Sequence, residues 1–117
     1  MTPEAYVGER RRGQLIVTRV PEGTRLTPER SLELADHSPS GFESGYCGSG
    51  PAQLALALLL DYTDDEDIAL AEYMAFKNEV VSQLECTGPN DRWRLTGGEI
   101  DSALRETVDE PVAPSVS

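Results

Sequence analysis

From Ala52 to Leu60 the chain reads AQLALALLL, eight apolar residues and a single glutamine. A helix over this stretch has no polar face to turn to water, so it belongs at the buried centre of the fold with the other elements around it. Pro51 suits the first helical position, because its missing N–H has no intrahelical acceptor there anyway. The predicted helix runs from Pro51 to Tyr62, and Asp61 breaks the apolar run. The run is too short to span a bilayer, which needs ~20 apolar residues.

Around this helix the pattern changes period. AYVGERRRGQLIVTRV, from Ala5 to Val20, alternates apolar and polar residues and predicts a β-hairpin, with Gly8 and Gly13 bracketing its turn. Pro21 to Thr24 reads as a second turn. RSLELADHS, from Arg30 to Ser38, predicts a short strand with Leu32 and Leu34 on one face. Ser38 to Gly50 is a loop by composition. Thr63 to Glu66 has the spacing of a capping box, opening a helix from about Asp65 to Leu84. Its apolar stripe is Ala69, Tyr73, Phe76, Val80 and Leu84. Trp93 to Thr96 is a short strand. Thr96 and Glu99 form a second capping box, ahead of a helix to about Thr107 with Ile100, Ala103 and Leu104 inward. Strands followed by helices predict an α+β fold, a small antiparallel sheet packed against the central helix and one or two more. Residues 1–108 make one domain, and the proline-bearing 109–117 a disordered tail.

The ionic balance excludes several classes of function. The 117 residues carry 21 acidic and 10 basic side chains, a formal charge of −11, and nine of the ten basic residues are arginine. Such a chain repels itself at low ionic strength, and at about 1 M salt the screening length of ~3 Å removes that repulsion. Two origins fit: a salt-rich cytoplasm, or coding bias in a GC-rich genome that replaces lysine by arginine. The surface-charge argument favours the first. A polyanionic partner needs a basic face, and Arg10, Arg11 and Arg12 at a hairpin tip are a thin one, so nucleic acid is not the expected partner. Two cysteines, Cys47 and Cys86, are too few for a disulfide scaffold. One histidine and no CxxC pair argue against structural zinc, and no cofactor motif occurs. The N-terminal MTPEAYVGERRRG lacks the apolar core of a signal peptide. The expected location is the cytoplasm, away from membranes.

The chemistry-bearing stretch is HSPSGFESGYCGSG, His37 to Gly50, which places four glycines between Gly41 and Gly50. Gly45 and Gly50 have Walker spacing, but Pro51 and Ala52 stand where Lys and Ser or Thr are needed, so the phosphate cradle of a nucleoside triphosphatase fails. No GxGxxG fingerprint occurs either. Cys47 lies just before a helix start, where peptide dipoles lower a thiol pKa, and CGSG faintly resembles the CGSC of papain-like enzymes. His37 would be the base, with Asp36 or Glu43 orienting it. That is the alternative reading, a small cysteine-dependent hydrolase or transferase. Against it stand the structural role of glycine in a tight turn, with Phe42 and Tyr46 as lids on the core and His37 in a local turn, and a binding role. A Gly-rich turn at a helix start is receptive to anions, and aromatic side chains in it add contact surface for a protein.

HSPSGFESGYCGSGPAQLALALLLDY, His37 to Tyr62, resembles the signature of a small family without an assigned activity, found in haloarchaea, bacteria, plasmids and phages. FKNEVVSQL at Phe76 to Leu84 and WRLTGGEI at Trp93 to Ile100 fit the rest of its pattern, so the similarity extends from Tyr6 to Ile100. In that family Trp often stands at the position of Ser44 and Gly at that of Cys47. Glycine is no nucleophile, so the resemblance implies that the thiol is dispensable, and the mobile elements imply an accessory role. The sequence therefore predicts a non-enzymatic binding protein. Its candidate site residues are His37, Ser38, Phe42, Glu43, Tyr46 and Ser49, and its partner is a protein or a small anion.

Overall fold

A computed structural model describes residues 3–37, 41–45, 48–85 and 92–109, with side chains as far as Leu104. Strands β1 (Ala5–Arg11) and β2 (Gln14–Val20) form the expected hairpin, with Ala5 opposite Val20 and Arg11 opposite Gln14. A two-residue strand β3 (Arg25–Leu26) pairs with β2, and β4 (Arg92–Thr96) pairs with β1. Among the described residues the sheet has four strands in the order β3-β2-β1-β4, every neighbouring pair antiparallel. Helices α1 (Glu29–Leu32), α2 (Ser49–Thr63), α3 (Glu66–Glu79) and α4 (Gly97–Asp109), with a 3₁₀ turn at Val81–Gln83, complete the α+β fold.

Every residue of α2 from Gly50 to Leu60 is buried. Tyr6 and Val17 of the sheet, Ala69 and Phe76 of α3, Val81 and Ile100 belong to the same core cluster as its leucines. Each fully buried leucine is worth about 1.5–3 kcal/mol relative to exposure. The stripe expected on α3 is used as predicted: Ala69 and Phe76 are buried, and Tyr73, Val80 and Leu84 pack against the core. The Thr96–Glu99 box is formed in both directions, Glu99 Oε1 accepting from Thr96 N at 2.8 Å and Thr96 Oγ1 from Glu99 N at 3.1 Å.

Four local expectations are corrected. The segment expected as a strand after Arg30 is instead the short helix α1, where Leu32 N donates to Pro28 O at 2.9 Å and Ser31 Oγ to the same carbonyl at 2.8 Å. The Thr-Pro-Glu start at Thr27 outweighs the two leucines. Thr63 does not cap α3. It ends α2 with its hydroxyl on Leu59 O at 2.6 Å, and Asp65 caps α3 by accepting from Asp67 N and Ile68 N. That helix stops at Glu79, before the 3₁₀ turn, rather than reaching Leu84. Gly8 is not a turn residue. It sits mid-strand opposite Trp93, whose indole occupies the space a Cβ would need, so an aromatic ring covers the gap glycine leaves in the strand. The turn is Arg12-Gly13, both at positive φ.

One ionic network fastens the sheet to α2. Arg19 Nη2 and Nε donate to Asp61 Oδ1 at 2.7 and 3.0 Å, and the Tyr6 hydroxyl donates to Asp61 Oδ2 at 2.7 Å. Arg19 Nη1 also donates to Arg25 O at 3.0 Å, which reaches β3. Burial, and then the Asp61 carboxylate, push the Tyr6 phenol well above its ordinary value. A raised folded-state pKa contributes stability that is present below the unfolded value of ~10 and lost as pH climbs past it. Unfolding free energy is therefore expected to fall above about pH 10, and Tyr6→Phe to flatten that limb by up to ~1.4 kcal/mol per pH unit. Urea titrations at pH 8 to 11 check it, and an unchanged slope would remove Tyr6 from the account.

Candidate functional site

Segment 41–45 is held at Phe42, Glu43, Ser44 and Gly45. Phe42 makes an isolated antiparallel bridge to Leu15 and is buried with the core. Glu43 receives a two-pronged contact from Arg10, Nη2 to Oε1 at 2.7 Å and Nη1 to Oε2 at 3.1 Å. Both side chains are about a third exposed, so the pair adds no more than ~1 kcal/mol and acts mainly by fixing direction. Ser44 is buried, and its hydroxyl accepts from the Trp93 indole N–H at 3.1 Å. Gly45 N donates to Val81 O at 3.1 Å, tying the segment to the 3₁₀ turn. Gly50 permits a close approach of the loop, since a Cβ there would lie 2.7 Å from Glu43 Cβ. Glycine at this helix start is thus a packing requirement of the loop laid across it.

Beside the loop opens a cavity of about 410 Å3. Its walls are Gln14 and Leu15 of β2, Arg25 and Thr27 around β3, and Phe42 and Glu43 of the loop. It lies beside the two-residue strand β3, where β2 and the loop share the isolated Leu15–Phe42 bridge.

The expected site residues divide. Phe42 and Glu43 come together at this cavity, although the Phe42 ring serves the core more than the surface, at 7% exposure. Ser49 opens α2 and is exposed. His37 is not among the cavity residues, and its bonds are not those of a local turn. Its backbone N donates to Gln53 Oε1 at 2.7 Å, and its ring Nε2 lies 2.8 Å from the Tyr73 hydroxyl of α3. The two rings are 5.6 Å apart, tilted by 53°. Ser38, Tyr46 and Cys47, and with Cys47 the thiol of the enzymatic alternative, lie outside the described residues, as does Cys86. Of the arginines at the hairpin, Arg10 is committed to Glu43 and Arg11 to Glu9 at 2.6 Å. Among the described residues no group of three or more His, Cys, Asp or Glu side chains is placed to hold a metal ion.

Gln53 is the residue that sequence reading passed over. It is fully buried, and its amide nitrogen donates to Ser31 Oγ at 2.8 Å and Ala35 O at 3.1 Å while its oxygen holds His37 N. The signal was present: a lone amide in an apolar run must find partners inside. Gln53→Leu leaves the His37 N–H and the Ala35 carbonyl without this partner. It is expected to cost roughly 2–4 kcal/mol in urea unfolding and to speed exchange of the His37 amide. Unchanged His37 exchange would show that the segment is held by other contacts.

The chain belongs to DUF6166, a family of unknown function, whose model matches residues 6–106. No curated protein and no solved structure matches it significantly. Among the described residues no helix is long and apolar enough to cross a membrane.

Proposed function

We propose that this is a non-enzymatic accessory protein that binds a protein segment or a small anion through the loop of residues 37–50. The observation that supports it best is the 410 Å3 cavity at the loop's edge. Its volume falls in the range of ligand sites, about 300–1,000 Å3. The loop wall is pre-set by Arg10 on Glu43 and Trp93 on Ser44, so little ordering remains to be done on binding. Function placed on a loop braced by rigid elements is a common arrangement.

The test uses Thr27→Trp, which fills the cavity from an exposed position, and Glu43→Ala, which removes part of its wall. A partner recovered with the native chain from lysate at molar KCl is expected to fall about tenfold or more with either variant, a loss of at least ~1.4 kcal/mol in affinity. The thermal midpoints are expected to stay close to native. Equal recovery on all three chains, or none on the native chain, removes the proposal.

The same proposal includes the cytoplasm of a salt-adapted host, with relatives on plasmids and phages, and it is supported by the charge of −11. The thermal midpoint is expected to rise between dilute buffer and about 1 M KCl as repulsion among surface carboxylates is screened. Salting-out of apolar surface adds to any such rise. A variant with Glu66, Asp67 and Glu72 changed to their amides should therefore gain less than the native chain in differential scanning fluorimetry. Equal gains would assign the rise to salting-out alone.

A further inference from the structure

Charge is segregated between two sides of this molecule. Alternation along the strands sends Tyr6, Arg10, Arg19 and Trp93 to the α2 side, where Asp61, Glu43 and Ser44 receive them. The opposite parity faces away. The register sets Arg25, Thr18, Val7 and Arg94 in one row across the sheet, and Ile16, Glu9 and Arg92 in the next. Arg11, Arg25, Arg92 and Arg94 are exposed on this outer face, and Val7, Ile16 and Thr18 between them are half-buried. Glu9 is the acid in these rows, ion-paired to Arg11 and Arg92. A chain of charge −11 thus carries an outer sheet face with a net positive balance and a β-branched centre.

Helix α3 presents the counterpart. Ala69 and Phe76 turn it onto the core, and its far side carries Glu66, Asp67, Leu70, Ala71 and Met74. Leu70 and Met74, one turn apart, are 42% and 45% exposed. Exposed apolar side chains rimmed by charge mark an interaction surface more often than chance placement. Because α2 is buried on all sides between the sheet and α3, the two faces look away from each other.

We propose that these faces bind each other in neighbouring copies, the outer sheet face of one chain receiving the Leu70–Met74 side of α3 from the next. The β-branched centre takes the two apolar side chains, and Arg25, Arg92 and Arg94 meet Glu66 and Asp67. Nucleic acid fits this face less well: among the described residues it has no aromatic side chain on which a base could stack. A contact between two different faces is heterologous, so it repeats from copy to copy, as a ring if the rotation closes and as a filament if it does not. It shares Arg25 with the wall of the loop cavity, and the variants below, at Leu70, Met74, Arg92 and Arg94, leave that cavity intact.

Sedimentation velocity of the full chain in ~0.15 M KCl, where charges are screened beyond ~8 Å, should show mean mass rising with concentration. Arg94→Glu and Met74→Glu should each return the chain to monomer with native circular dichroism, and Arg92→Glu and Leu70→Glu should repeat the result. Mixed in equal amounts, the Arg94→Glu and Met74→Glu chains retain one intact face each and should form dimers that grow no further. A native chain that stays monomeric at every concentration overturns the proposal, as does association that survives both substitutions or a mixture that stays monomeric. Binding of a fluorescent single-stranded oligonucleotide by a monomeric native chain, lost in Arg94→Glu, would assign the face to nucleic acid instead.

Discussion

The structure depends on a helix that cannot show any side to water. From Gly50 to Leu60 α2 is buried without interruption, so sheet, α3, α1 and the 3₁₀ turn are all required to cover it. In an ordinary amphipathic helix one stripe is buried and the rest solvated. Here the burial demand is met on all sides by a chain of only 117 residues. Among the described residues the large apolar side chains left exposed are Ile68, Leu70 and Met74, all on α3. The single polar group inside the run, the Gln53 amide, is used to hold the segment from Ser31 to His37.

Arginine carries much of the connection between layers. Arg19 reaches Asp61 at the end of the apolar run and Arg25 O on β3, and Arg10 reaches Glu43 on the loop. A planar guanidinium can serve two acceptors at fixed directions, which a lysine ammonium does not. The near-absence of lysine therefore has a structural correlate on the inner side of the sheet, whatever its origin in the genome. On the outer face Arg11 and Arg92 pair with Glu9, and there the arginines bias the surface toward positive charge.

Much of the fold was legible because the relevant patterns are local. Alternation between Ala5 and Val20 marks the hairpin, uninterrupted apolarity marks α2, and the Thr96–Glu99 spacing marks the start of α4 with the hydrogen bonds it implies. The misreadings share a cause. Gly8 has the composition of a turn, Thr63 the spacing of a cap, and Leu32 and Leu34 the alternation of a strand. Each is decided by a partner far away in the chain or by a competing neighbour: Trp93 over Gly8, Asp65 beside Thr63, Pro28 ahead of Leu32. His37 reads as a loop residue and is held by Gln53 and Tyr73, 16 and 36 positions away.

By itself the sequence determined the fold class, the identity of the central helix and the place of the loop before it, because periodicity and glycine spacing act over a few residues. Only the tertiary structure decided what that loop does. It buried Phe42, turned Glu43 toward Arg10, and opened a cavity where a two-residue strand stops short. It also sorted the charges to opposite sides of the molecule. Both outcomes depend on strand register and on which parity of each strand faces α2, and a one-residue slip would reverse them.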